Sequence, residues 1–164
     1  MSRSRLADAP VDPAELDLGY LAQLVGSAIS EAVQTTMQRG GYTGLRTGHG
    51  YFIQQLIDSE PTIGELAERV GVTQQAASKV IAELATLGYL EVAPDPGDAR
   101  IRRVRLSPRG RAAVTASRHA RLLIERKLAA HLGARTVERT RATLVAALDA
   151  LGATPMLARR VAAR

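Results

Sequence analysis

Residues 62–88 read TIGELAERVGVTQQAASKVIAELATLG, and this stretch decides the fold. Thr62 and Glu65 have the Thr-x-x-Glu spacing of a capping box, which predicts the start of a short amphipathic helix that Gly71 ends. A single valine separates Gly71 from Thr73, a residue suited to capping a second helix. Two helices joined by so short a turn cross at a large angle, so the pattern predicts a helix-turn-helix.

Directly after these helices the sequence predicts a β-hairpin. Residues 89–93 and 101–106 have the composition of strands, and the run PDPGD at 94–98 between them is dense in turn-forming residues. A helix-turn-helix followed at once by a hairpin is a winged helix. We therefore predict a winged helix-turn-helix domain over residues 45–107, with residues 94–103 as its wing.

The second helix of the motif, residues 73–87, is called the reading helix below. At 100° per residue its apolar side chains gather on one face and its polar side chains on the other, near the N-terminal end. Glutamine matches the hydrogen-bonding edge of adenine in the major groove, serine and lysine can serve bases or phosphates, and a helix N-terminus attracts phosphate. By themselves these residues would fit an ordinary solvated helix face, but the neighbouring wing favours DNA contact. The predicted DNA-binding residues of this helix are Thr73, Gln74, Gln75, Ser78 and Lys79.

The wing begins a strongly basic segment. Residues 99–111 contain six arginines and no acidic residue, and such a cluster is unfavourable without an anionic partner. Arg100, Arg102 and Arg103 are predicted to reach the minor groove or its phosphates. Asp98 precedes Arg100 by two residues and is predicted to pair with it and orient it.

Helices are also predicted on both sides of this domain. Residues 12–44 are expected to form an N-terminal helix that starts at the Asp12-Pro13 pair, followed by a loop, and Thr47 is suited to cap the next helix. Residues 108–164 are expected to form two C-terminal helices, the last starting at Thr136. The first residues, 1–11, have no periodicity and are expected to be flexible.

These flanking helices carry apolar stripes that are too long for the small winged domain to cover. The stripe residues are Leu18, Leu21 and Val25 at one end and Leu144, Leu148 and Leu151 at the other. The predicted fold class is therefore mainly α, a winged helix-turn-helix whose N- and C-terminal helices form a dimerisation region, and the predicted assembly is a homodimer.

Composition excludes several other classes of protein. The chain has 164 residues, 46% hydrophobic and 23% charged, which is typical of one soluble domain, and its net charge is +6. It has no cysteine, so it can form neither a disulfide nor a thiol redox sensor. The absence of an apolar run of membrane length and of a secretory leader predicts a cytoplasmic protein without membrane contact.

No catalytic or metal site is predicted. His49, His119 and His131 show no short ligand spacing, and His49 falls on the apolar side of its helix, where a packing role is expected. No nucleophile, base and orienting residue can be named together, and no glycine-rich phosphate loop follows a strand. We expect neither an enzyme nor a bound cofactor.

Residues 45–113 strongly resemble the MarR family of bacterial winged-helix regulators. The Asp-x-Arg of the wing, Asp98 and Arg100, is the most specific mark of that family. The other matching motifs are Thr62-Ile63-Gly64-Glu65-Leu66-Ala67, Gly71-Val72-Thr73, Leu87-Gly88-Tyr89-Leu90, Leu106-Ser107 and Gly110.

The resemblance implies a sequence-specific, double-stranded DNA-binding transcriptional regulator, more often a repressor, that binds a pseudo-palindromic operator as a homodimer. It also implies the reading helix in the major groove, Arg100 in the minor groove, and release by a small phenolic or other organic effector. The family's peroxide-sensing branch needs a cysteine in the first helix and is excluded. The alternative is a winged helix that docks on an acidic protein partner through its basic hairpin.

Overall fold

A computed structural model describes residues 12–153 and places six helices and one two-stranded antiparallel sheet in that range. The predicted flexible segment 1–11 lies outside the described residues, as does the end of the predicted C-terminal region, 154–164. The elements are α1 (Leu18–Arg39), α2 (Thr47–Gln54), α3 (Ile63–Val70), α4 (Gln74–Thr86), β1 (Leu90–Pro94), β2 (Arg102–Leu106), α5 (Pro108–Leu132) and α6 (Ala134–Ala150).

The first long helix starts later than the sequence predicts. Asp12 does cap a helical turn, but that turn is a short 3-10 segment, Pro13–Glu15, which ends at the extended residue Leu16. The N-cap of α1 is Asp17, whose carboxylate accepts a hydrogen bond of 2.9 Å from the backbone N–H of Tyr20. Asp12 and Asp17 therefore both act as N-caps, but only the segment that follows Asp17 continues as a long α-helix.

Two other predicted helix starts are shifted by one or two residues. Thr47 is the first residue of α2 rather than its cap, because the backbone N–H of Arg46 donates to Nδ1 of His49 at 3.3 Å. The last helix was expected to start at Thr136, but α6 begins two residues earlier, at Ala134, directly after Gly133.

The helix-turn-helix forms as the sequence predicts. The hydroxyl of Thr62 accepts from the backbone N–H of Glu65, and the Glu65 carboxylate accepts from the backbone N–H of Thr62, so the capping box is complete. Gly71 ends α3 at a φ of 77°, a left-handed conformation that favours glycine. Thr73 then caps α4 through a 3.2 Å bond from the backbone N–H of Ala76.

The hairpin packs one side of its sheet on these helices. Its register pairs Leu90 with Leu106 and Val92 with Val104, and both Leu106 and Val104 are buried. The core beneath them combines side chains from every part of the winged domain. Its fully buried members include Leu66, Ile81, Leu84, Tyr89 and Val104.

The flanking helices make a second layer in which α1 packs on α5 and α5 packs on α6. Part of their apolar surface stays uncovered within one chain: Leu18 is 75% exposed and Leu151 is 80% exposed. Within residues 12–153, no helix combines the length and the apolar character that crossing a membrane requires.

Candidate nucleic-acid interface

Helix α4, which forms the body of the reading helix, separates its apolar and polar faces as predicted. Ala77, Ile81 and Leu84 are buried against the rest of the winged domain. This packing fixes the rotation of the helix about its own axis, so the opposite face must point to solvent.

The outward face carries the predicted DNA-binding residues. Gln74, Gln75 and Lys79 are exposed, and the described part of the chain shows no hydrogen bond or ion pair that occupies their side chains. Thr73 is also exposed, with its hydroxyl oxygen used for capping, while Ser78 is only half-buried. The face therefore presents amide, hydroxyl and ammonium groups that remain available to a ligand.

At the wing, Arg100 and Asp98 lie together. The Arg100 side chain is 95% exposed, its backbone N–H donates to Oδ1 of Asp98 at 3.0 Å, and its Nε lies 3.8 Å from the same oxygen. Asp98 thus holds the backbone of Arg100 firmly and its guanidinium loosely. The guanidinium extends from the tip of the hairpin into solvent.

The other two wing arginines have different surroundings. Arg102 is exposed, with one nitrogen 3.4 Å from the carbonyl oxygen of Val92. Arg103 is drawn inward, where it forms an ion pair with Asp95 and donates from Nη1 to the carbonyl oxygen of Glu60 at 3.0 Å. The structure therefore gives Arg103, which was predicted to contact DNA, two partners within the chain.

Asp95 and Glu60 were not among the predicted site residues. Asp95 could have been found from its spacing, because an aspartate two residues before a glycine is typical of a turn that the aspartate side chain closes. In the structure Oδ1 of Asp95 accepts from the backbone N–H of Gly97 at 2.7 Å. The Glu60 partner uses a backbone carbonyl 43 residues away, which no local pattern reveals.

A cavity of about 560 Å³ lies between α1, α2 and α5. Its lining is mainly apolar and includes Val33, Met37 and Ile53, together with Arg118 and Arg121. Its lining contains arginine and histidine but no carboxylate. The volume is in the range of sites that enclose small organic molecules.

One wall of this cavity is joined to the reading helix. Arg46 and His49 line the cavity, and Arg46 forms an ion pair with Glu83 of α4. The buried ring of His49 lies 3.6 Å from the same carboxylate and within 3.3 Å of Nε of Arg46. Burial lowers the pKa of His49 below its ordinary value of 6.5, an effect that Glu83 opposes and Arg46 reinforces.

Within residues 12–153, no group of three or more histidine, aspartate and glutamate side chains is arranged to hold a metal ion. His119 and His131 are both exposed on α5, and His49 is in the packed position that the sequence predicts.

Comparisons with known proteins agree with this geometry. The family model described as MarR family matches residues 43–101. Among curated proteins, none matches the sequence at a significant level.

Three solved structures have the same fold as this chain. The MepR–DNA complex of Staphylococcus aureus is 17% identical, with a TM-score of 0.61 over 83% of this chain and 99% of that one. MepR bound to ethidium bromide is 18% identical, with a TM-score of 0.59 over 84% of this chain and 99% of that one. The YusO protein of Bacillus subtilis is 17% identical, with a TM-score of 0.61 over 82% of this chain and 92% of that one. The family match covers the helix-turn-helix and the wing tip, and the solved structures share the fold, so this chain is similar to MarR-family proteins over residues 43–101.

Proposed function

We propose that this protein is a sequence-specific, double-stranded DNA-binding transcriptional regulator that acts as a homodimer on a pseudo-palindromic operator. The observation that carries the proposal is that the reading helix has an unoccupied polar face while the wing carries an arginine, Arg100, whose side chain is almost fully exposed. The first offers groups suited to base edges in the major groove, and the second offers a cation suited to the minor groove. MepR, solved with DNA, is a structural neighbour of this chain.

The homodimer is supported by the surface of the flanking helices. Leu18 and Val25 of α1 and Leu144 of α6 leave apolar area exposed in one chain. A second copy would cover these residues, and the proposed dimerisation regions are therefore residues 12–44 and 108–153. A twofold dimer presents two reading helices, which is why we propose a site with two related half-sites.

A small organic molecule is proposed to weaken DNA binding from the cavity between α1, α2 and α5. The mainly apolar lining suits an aromatic body, and the arginines without a carboxylate suit a negatively charged group. The contact of Arg46 with Glu83 joins this cavity to the reading helix, so an occupant can change the position of α4. Among the structural neighbours, MepR is solved with ethidium bromide.

We propose that DNA binding makes the regulator a repressor, as in the more common form of the family.

Selection of bound sequences from random duplex DNA tests the proposal. We expect a two-fold motif whose half-sites are about one helical turn, roughly 10 bp, apart. Affinity for this motif should fall steeply as salt rises while the preference over unrelated duplexes persists. Equal binding to every duplex, or binding to an acidic protein surface but to no duplex, would contradict the proposed function.

The effector is tested with the selected duplex and a set of phenolic carboxylates. We expect at least one of them to release the DNA, and we expect Ser117→Trp, which fills the cavity, to keep DNA binding but to lose the release. Release that is equally strong in Ser117→Trp would place the effector elsewhere.

A further inference from the structure

The wing is joined to the start of the helix-turn-helix by backbone pairing and by a side chain. The backbone N–H of Val104 donates to the carbonyl oxygen of Pro61 at 2.9 Å, as part of a β-bridge that pairs Arg103 with Thr62. In addition, Nη1 of Arg103 donates to the carbonyl oxygen of Glu60. Strand β2 is therefore fixed to the segment that leads directly into α3.

Asp95 connects this junction to the wing tip. Its Oδ1 accepts from the backbone N–H groups of Gly97 at 2.7 Å and of Asp98 at 3.3 Å, which closes the turn, while its Oδ2 faces Nε of Arg103. Asp98 in turn accepts from the backbone N–H of Arg100. A continuous chain of bonds thus runs from the entry to the helix-turn-helix to the extended arginine.

The electrostatics and the burial of the Asp95–Arg103 pair agree with a fixed role. The hydrogen bond from Arg103 holds the pKa of the Asp95 carboxyl below its ordinary value, and the Asp95 side chain is only 16% exposed. Arg103 is 36% exposed, against 95% for Arg100. Arg103 is therefore bonded within the chain, whereas the Arg100 side chain is left exposed to solvent.

We propose that Arg103 and Asp95 are positioning residues, which fix the wing relative to the reading helix so that both elements meet one DNA duplex without further ordering. This inference rests on the proposed DNA-binding function and assigns Arg103 a different role from Arg100. Arg103 and Asp95 act by preorganising the wing. A wing that is free to move must become ordered when DNA binds, and this ordering reduces affinity.

The direction in which one substitution changes DNA affinity distinguishes this positioning role from a purely electrostatic one. Asp95 places a negative charge on a surface that is proposed to meet a polyanion, so removing that charge should strengthen DNA binding if charge alone matters. If Asp95 positions the wing, removing the charge should weaken binding. Asp95→Asn is suited to the test because the amide keeps an oxygen to close the turn and replaces only the oxygen that accepts from Arg103.

The matched control is the other cross-strand ion pair of the hairpin. Nε of Arg105 lies 3.0 Å from Oε2 of Glu91, and both side chains are more than 40% exposed. This pair stays within the hairpin, so Glu91→Gln also removes one negative charge but leaves the junction intact. Affinity should be measured for the duplex that the selection yields, below the melting temperature of every variant.

We expect Asp95→Asn to weaken binding about five- to tenfold, the cost of ordering a loop and its side chains on binding. The salt dependence should stay as in the wild type, because the number of phosphate contacts is unchanged. Glu91→Gln should bind as well as the wild type or slightly better. Binding by Asp95→Asn that equals or exceeds that of the wild type would overturn the inference.

Arg103→Lys gives a second, independent test. Lysine keeps the positive charge, so it would replace an arginine that only contacts phosphate, but its single nitrogen cannot engage Asp95 and the Glu60 carbonyl with the same geometry. We expect weaker binding with an unchanged salt dependence, and wild-type affinity in this folded variant would also overturn the inference. If the wild-type protein binds no duplex at all, the proposed function fails instead.

Discussion

Gly110 lies so close to Tyr89 that a Cβ atom at position 110 would be 2.1 Å from the Tyr89 carbonyl oxygen. This contact seats the first turn of α5 against the start of the hairpin. The hydroxyl of Ser107 completes the junction, since it donates to the carbonyl oxygen of Gly88 at 2.6 Å and accepts from the backbone N–H of Gly110 at 2.9 Å. The winged domain and the long helix that follows it are thereby locked together.

Gly110→Ala should therefore destabilise the fold. The added methyl group meets backbone that cannot rotate away, and overpacking of this kind costs about 1–3 kcal/mol of unfolding free energy. Gly64→Ala is the control, because a Cβ atom there has no neighbour within 4 Å and alanine loses less conformational freedom in a helix than glycine does. Urea unfolding measures both variants, and a Gly110→Ala protein as stable as the wild type would show that the junction can relax.

Arg100→Ala and Gln75→Ala should affect DNA binding differently. Loss of the wing cation should weaken binding to every duplex and reduce the salt slope by about 1 per protomer. Loss of the glutamine should instead relax the preference at one position of each half-site, by about 1–3 kcal/mol. Footprinting and titration on matched and mismatched duplexes distinguish the two, and unchanged protection with Arg100→Ala would remove the wing from the interface.

The free energy of unfolding should fall as the pH drops below 6.5. His49 has a pKa lowered by burial in the folded state, so below that pH the unfolded chain binds this proton more readily than the folded protein does. Stability from this residue is therefore complete above the unfolded value and is lost as the pH falls towards the lowered one. Urea unfolding at pH 7.5, 6.5 and 5.5 measures the effect.

The control for that experiment compares two histidines. His49→Gln should flatten the pH dependence over this range, whereas the same substitution at the exposed His131 should leave it as in the wild type. A wild-type protein with constant stability from pH 7.5 to 5.5 would show that protonation of His49 is not coupled to folding.

Leu144→Glu should dissociate the proposed homodimer. Leu144 is half-exposed on α6, and burying an unpaired carboxylate in an apolar interface costs roughly 3 kcal/mol, which raises the dissociation constant more than a hundredfold. Ala142→Glu introduces the same charge on the opposite side of the exposed helix and should leave the assembly intact. Sedimentation measures both, and a wild-type protein that is monomeric at micromolar concentration would contradict the dimer itself.

Much of the winged domain could be predicted because its determining interactions are local. The Thr62 and Glu65 capping box, the Thr73 cap and the left-handed Gly71 each depend on bonds within about four residues, so the sequence pattern contains the whole interaction. The same locality explains the errors, because near Asp12 and Thr136 the local pattern is compatible with more than one helix start, and the helices begin after Asp17 and Gly133.

The candidate interface also has a part that the sequence predicted and a part that it could not predict. Periodicity alone assigned Gln74, Gln75 and Lys79 to the outward face of the reading helix, and the structure places them there; their contact with DNA stays a prediction. The inward turn of Arg103 could not be predicted, because arginines in one run look alike until the fold brings a carboxylate and a carbonyl to one of them.

The amino-acid order by itself determined where helices and strands form and which face of each is apolar, since capping, turn chemistry and periodicity act between near neighbours. Only the tertiary structure decided which arginine is held and which is free, and that a cavity wall touches the reading helix through Arg46 and Glu83. The Arg46–Glu83 contact joins residues 37 positions apart and the bond from Arg103 to the Glu60 carbonyl joins residues 43 positions apart, and contacts at such separations exist only after the helices have packed.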